Sequence, residues 1–381
     1  MTTDAAPTGP ASGEPIVVGF VNMEAGPLAQ PAVGDSARGA IAYINKYLGG
    51  VDGRPLELDQ CLTDGSPESS AKCATQFVAN GTQMVFLAID FGSAAMLPTL
   101  AEAGIPVIGQ QPITPADYQT GQWFAGSQVA YAYGGATFVR DELKSKNVTV
   151  LTLNSAGSKA NMAAFILPSL EAAGVENIDV VEVDPTQPDF SVFVAAALAN
   201  SPDLLYGFLQ DTDCTKLVTT SRQLGYTGDI IAGNCGAFAK DSPEAAEGVY
   251  ALGDLYSPDD RSRTSERADA ELDMFVASMA EFAPDRPLSV FTQFVFAGLM
   301  NVYNLLVKIG AENVTADAVV STMAATDDEP SFMADTYSCS AQVSDDFPSL
   351  CGASVLVFQS QDGKLVQVSD WIFGPDIFAG G

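Results

Sequence analysis

Histidine is missing altogether from the 381 residues. That removes the side chain titrating nearest neutrality and the commonest metal ligand. Ser–His–Asp and Cys–His catalysis and His-based zinc sites are therefore excluded within this chain. Positive charge is scarce: 17 Lys and Arg stand against 47 Asp and Glu, a formal net charge of −30. A surface of that sign repels phosphate backbones, so nucleic acid is not an expected partner, and it offers no basic face to anionic lipid headgroups. Solubility is the simplest use of such a charge. None of the six cysteines has the Cys-x-x-Cys spacing of zinc or redox sites. Long apolar runs are absent too. The most apolar stretch, 288–309, is interrupted by Thr292, Gln293, Asn301 and Asn304, and reads as a buried helix rather than a membrane span. No catalytic residue, cofactor or metal is expected. The nearest approach to an acid–base pair is Asp211 with Asp213, and acids two apart on a loop more often cap or face water. Residues 1–13 lack the charged-then-apolar pattern of a secretory signal and read as a flexible leader, the tether of an exported chain whose signal has been removed.

What is present is apolar mass. Hydrophobic residues make up 47% and charged residues 17%, enough for two domains of ordinary size. The cysteines fall into sequence-local pairs, Cys61/Cys73, Cys214/Cys235 and Cys339/Cys351. An even count so arranged reads as three disulfides in an oxidising compartment, each worth roughly 3 kcal/mol by loop closure. Six reduced thiols are the alternative, since six cysteines allow 15 pairings and spacing alone does not choose among them.

Along the chain, short β-branched runs alternate with stretches of helical spacing. Ile16–Phe20 predicts a strand, Asp35–Leu48 a helix stopped by Gly49-Gly50, Leu56–Leu58 a strand, and Pro67–Asn80 a helix ending at Gly81. Met84–Ile89, Ser93–Ala103 and Ile105–Gly109 continue strand, helix, strand. The pattern restarts at Val148–Leu153, with later strands at 178–183, 204–209 and 230–233, and Asp362-Gly363 predicts a hairpin. Repeated βαβ grammar implies an α/β fold of two similar lobes, each a mostly parallel sheet flanked by helices.

The residues then suggest a family. Gly26-Pro27-Leu28-Ala29-Gln30, Gly34-Asp35, Arg38-Gly39-Ala40, Ile44-Asn45 and Gly49-Gly50-Val51-Asp52-Gly53-Arg54-Pro55-Leu56 follow the first strand in order. Ala101-Glu102-Ala103-Gly104-Ile105-Pro106-Val107-Ile108 and Arg222-Gln223-Leu224-Gly225-Tyr226 come later. Together they resemble type I periplasmic binding proteins of the branched-chain amino-acid (Leu/Ile/Val-binding) group, over nearly everything from Pro15 to Phe373. The resemblance implies two lobes joined by a three-segment hinge near Gly126, Ser257 and Asp335. Lobe 1 would be 14–126 with 258–335, and lobe 2 would be 127–257 with 336–377. It implies a monomeric, extracytoplasmic solute-binding protein serving the permease subunits of an ABC importer. Such a protein captures an amino acid or organic acid in the inter-lobe cleft; a ligand-sensing receptor domain of the same fold is the alternative.

Solutes of open α/β sheets bind beyond the carboxyl ends of strands. That rule selects Gln30, Phe91, Gly92, Ser93, Gln110, Gln111 and Ile113 in lobe 1, and Ser158, Gln210, Asp211, Asn234 and Phe238 in lobe 2. The resemblance implies that Ser93 holds the solute's carboxylate, and Phe91 with Phe238 can sandwich a flat or aliphatic group. The chain departs from the amino-acid pattern in three places. Ile113 or Thr114 stands where a threonine is usual, Leu209 or Gln210 where a tyrosine is, and the neighbourhood of Cys235 where an acid pairs the ammonium. Asp211 or Asp213 would have to replace that acid, because an unpaired buried charge costs several kcal/mol. A disulfide between Cys214 and Cys235 would tie two of the binding loops together.

Overall fold

The structure, a computed structural model, describes residues 9–378 apart from Pro27, Pro185 and Gln342. Most of the expected leader, and Pro27 of the first family string, lie outside the described residues. The chain divides into two compact units, 1–126 with 266–352 and 127–265 with 353–381.

Unit 1 is built on five parallel strands, β1 (Ile16–Met23), β2 (Leu56–Thr63), β3 (Val85–Leu87), β4 (Val107–Gly109) and β5 (Gln122–Trp123), in the order β2-β1-β3-β4-β5. The strands are as apolar as burial on two faces requires: Val18, Phe20, Val21, Val85, Phe86 and Ile108 are fully enclosed. Local chemistry sets the helix ends. Ser66 caps helix Pro67–Asn80 by accepting the Ser69 amide, and Gly81, at φ 66°, ends it in the left-handed region that glycine enters without strain. Helix Val290–Ile309 starts with a Ser289/Thr292 capping box. It is apolar enough to cross a membrane by length and composition, but it buries Phe294, Val295, Phe296, Leu299, Leu305 and Leu306 as the core helix of this unit. Phe296 packs against Phe275 and Phe332.

Unit 2 repeats the plan. Its strands β6 (Asn147–Leu153), β7 (Asn177–Val183), β8 (Leu204–Phe208), β9 (Asp229–Ile231) and β10 (Tyr250–Gly253) are parallel, in the order β7-β6-β8-β9-β10. This is the same arrangement as in unit 1, with the strand order reversing between β1 and β3 there and between β6 and β8 here. The sheet is extended by an antiparallel hairpin, Ser354–Gln361 and Lys364–Gln367, turned at Asp362 (φ 50°) and Gly363 (φ 78°). Two central residues with positive φ make the tight turn that suits strand twist, which is why Asp-Gly announced it.

The first crossing between units falls at Gly126/Ser127, but the other two lie later than Ser257 and Asp335. Residues 257–265 stay with unit 2 because Asp260 accepts the Gln367 amide at 2.7 Å and Arg263 pairs with Asp370. Residues 336–352 stay with unit 1 for three reasons. Thr336–Tyr337 pairs with Glu329–Pro330, a disulfide closes Cys339 on Cys351, and the Trp123 amide donates to the Ser349 carbonyl. These side-chain and loop ties leave no periodic trace in sequence.

Candidate functional site

In unit 1 the strand order reverses between β1 and β3, the place at whose carboxyl ends open α/β sheets receive a ligand. Three loops meet there: 24–30 after β1, 88–93 after β3 and 110–117 after β4. The first is braced by charge. Glu24 and Asp35 both bind Arg38, and Asp35 also pairs with Arg286. Burial raises the Asp35 carboxyl, but the two guanidiniums outweigh it and hold the group below its ordinary value.

The second loop is organised by Asp90, which is fully buried. It accepts the Thr63 hydroxyl at 2.9 Å, the Ser70 hydroxyl at 2.5 Å and the Gly92 amide at 3.3 Å. Gly92 is required by packing: a Cβ there would sit 2.2 Å from the Ser70 hydroxyl and 2.5 Å from the Ser66 carbonyl. With its neighbours turned inward, Phe91 is left facing solvent at 51% exposure.

The third loop supplies a residue that strand-end reasoning passed over. Asp117, fully buried, accepts the Ser93 hydroxyl at 2.8 Å on Oδ1 and the Ile113 and Thr114 amides at 2.9 and 2.7 Å on Oδ2. The Ser93 and Thr114 hydroxyls lie 2.9 Å apart. Burial pushes the Asp117 carboxyl above its ordinary value, and the Thr114 amide and Ser93 hydroxyl offset only part of that. Thr114-Pro115-Ala116-Asp117 has the [Ser/Thr]-x-x-[Asp/Glu] spacing of a capping box, but here it closes a turn and no helix follows it. Ser93, expected to reach a solute, is thus fully enclosed with its hydroxyl engaged inside the protein.

The remaining candidates of unit 1 separate in the same way. Gln110 is buried, its Oε1 accepting from Asn301 of helix Val290–Ile309, so it serves the core. Gln111 is also buried. Gln30 is half-buried ahead of helix Pro31–Tyr43, its carbonyl accepting from the Asn22 side chain, and Ile113 is half-buried.

In unit 2, Gln210 and Asp211 begin helix Asp211–Gln223 at the end of β8 and are exposed. Asp211 accepts the Gly236 and Ala237 amides at 3.1 and 3.2 Å, bracing the loop after β9. Asp213 is buried and paired with Lys216 at 2.8 Å. Asp213 is therefore already paired with a cation, whereas both amides on Asp211 meet the same oxygen, Oδ1. Cys214 and Cys235 are disulfide-bonded, as are Cys61 with Cys73 and Cys339 with Cys351. The Cys214–Cys235 bridge joins the first turn of helix Asp211–Gln223 to the loop carrying half-buried Asn234. Replacing both cysteines by serine is expected to cost about 3 kcal/mol, read as a lowered urea midpoint; an unchanged midpoint would show that the bridge does not brace these loops. Phe238 needs correction. It is fully buried in the core of unit 2 with Leu217, Val218, Ala246 and Leu356, and a ring that fills the core cannot sandwich a solute. Ser158 lies in the first turn of the short helix Ala156–Asn161, its amide and hydroxyl both tied to the capping Ser155 hydroxyl.

A search of curated proteins finds no match. Solved structures do match. An ABC transporter substrate-binding protein from Sphaerobacter thermophilus superposes with a TM-score of 0.78 at 18% identity, covering 95% of this chain and 98% of that one. A leucine-binding protein from Thermotoga maritima gives 0.73 at 18% identity, covering 95% and 99%. A solute-binding protein from R. palustris, solved with 4-hydroxybenzoate, gives 0.71 at 16% identity, covering 96% and 99%. At such identities the likeness establishes the fold. A family model described as periplasmic binding protein matches residues 15–347. With that match spanning both units, and with a doubled α/β plan whose strand-end loops are built from buried polar braces, this chain belongs to the periplasmic binding protein family.

Proposed function

We propose that this chain is the extracytoplasmic receptor of an ABC importer, a non-catalytic monomer that takes up a small organic solute and presents it to the permease. The observation that carries the reading is the strand-end edge of unit 1. There Asp90 holds the Thr63 and Ser70 hydroxyls, Asp117 holds the Ser93 hydroxyl and the Thr114 amide, and Phe91, next to Asp90 in the chain, is left exposed. An exposed aromatic on rigidly braced loops is a contact surface for an apolar or flat group. Gln30 and Ile113 flank it in the proposal; within unit 2, Gln210, Asp211 and Asn234 are the corresponding strand-end candidates. The three disulfides suit an oxidising compartment. Solutes bound by the structural relatives, leucine and 4-hydroxybenzoate, are small and carry an apolar or aromatic body.

A thermal-shift screen over amino acids, aromatic acids, amides and small dicarboxylates tests the reading. A true solute at 100 times its dissociation constant should stabilise the protein by about 2.7 kcal/mol, and Phe91→Ala should weaken the affinity at least tenfold, which at the same solute concentration cuts the stabilisation to about 1.4 kcal/mol or less. A solute that is chemically converted during binding would overturn the non-catalytic role.

A further inference from the structure

The donor cluster joining the loops after β3 and β4 already holds a carboxylate, and the chain itself supplies it. We propose that Asp117 is a specificity-determining residue, a built-in occupant of an anion receptor, and that the part of the solute meeting these loops of unit 1 is uncharged. The proposal rests on the solute-receptor reading above and names the solute chemistry at that same edge.

The geometry is that of a receptor filled from inside. Two backbone amides, Ile113 and Thr114, converge on one oxygen of Asp117 at 2.9 and 2.7 Å, and the Ser93 hydroxyl reaches the other at 2.8 Å. Convergent N–H and O–H groups of this kind are what a carboxylate requires when it leaves water, because charge-assisted hydrogen bonds must replace its hydration. All three donors are spent on Asp117, and Ser93 and Asp117 are fully buried. A solute carboxylate arriving here would find these donors taken and a second negative group in their place, and like charges at such range oppose ionisation of both. Beside it, the hydroxyls of Thr63 and Ser70 and the Gly92 amide are likewise committed, to Asp90. What the edge still presents is exposed Phe91 and half-buried Ile113, surfaces suited to a neutral group.

Removing the occupant should reopen the receptor. Asp117→Ala leaves a carboxylate-shaped vacancy lined by the donors of Ser93, Ile113 and Thr114. Sodium acetate and sodium formate at 100 mM should then raise the melting temperature of this variant well above a sodium chloride control, and should leave wild type and Asp117→Asn unmoved. A second measurement covers the case in which Asp117→Ala does not fold. Titrations of benzamide and benzoate should favour the amide by at least tenfold in wild type, and Asp117→Asn should narrow that ratio. Acetate stabilising wild type as much as Asp117→Ala, a folded Asp117→Ala that ignores both anions, or a wild-type preference for benzoate would each overturn the proposal. If wild type binds no small molecule while acetate still rescues Asp117→Ala, the receptor reading fails and the role of Asp117 as occupant stands.

Discussion

Trp123→Ala is expected to destabilise unit 1 by about 3–5 kcal/mol, the range for emptying a buried aromatic site. The side chain is fully enclosed. Its ring lies so close over Gly109 that a Cβ there would fall 2.3 Å from Cζ3, and its indole N–H donates to the Asp117 carbonyl at 2.7 Å. Its backbone amide and carbonyl bond Ser349 and Cys351. Truncation therefore empties the space above β4 and frees the turn that holds Asp117, two losses from one side chain. Urea unfolding followed by circular dichroism measures the midpoint. A loss below about 1 kcal/mol would mean that the loop collapses to fill the space and that the indole is not what positions Asp117.

Asp90→Ala should cost roughly 3 kcal/mol or more, because three donors inside the protein, the Thr63 and Ser70 hydroxyls and the Gly92 amide, lose their acceptor together. Asp90→Asn keeps the shape and one acceptor oxygen and should cost about 1 kcal/mol. The pair also separates charge from shape through pH. Burial raises the Asp90 carboxyl in the folded protein, and the hydroxyls of Ser70 and Thr63 reverse only part of that rise. A raised folded-state pKa means that the native state holds its proton more tightly than the unfolded chain does. This contribution is fully present below the unfolded value of about 3.9, and it is lost as pH rises through the raised folded value. Wild type should therefore lose part of its stability as pH rises from about 4, and Asp90→Asn should show a flatter profile over that interval. Identical slopes in the two proteins would show that Asp90 titrates as it does in water.

Much of the fold was legible because it rests on periodicity. Alternating β-branched runs and helical spacing gave the strands, Gly81 gave a helix end, and Asp362-Gly363 gave the hairpin. The capped, interrupted stretch 288–309 was correctly a core helix. The later crossings were not legible, because they are fixed by Asp260 on Gln367 and by Trp123 on Ser349, contacts between residues far apart in sequence. At the site, strand-end logic singled out loops, and several of the side chains it named are enclosed in the structure. It marks where a loop emerges but not which way a side chain turns, so Phe238 and Gln110 proved to be core and Ser93 an internal donor. Asp117 lies well past the end of β4 and returns to it only through a turn.

The interleaving of the two units has a consequence for biosynthesis. Unit 1 draws its last segment, 266–352, from beyond nearly all of unit 2. As the chain emerges from its amino end, the β1–β5 sheet forms without the helix Val290–Ile309 that covers it and without Ser349 to receive the Trp123 amide. An apolar sheet left waiting for its cover is open to misassociation. The first unit to begin is thus unable to finish until more than 220 later residues have appeared, so a holding chaperone or delayed folding would protect this chain most during that interval.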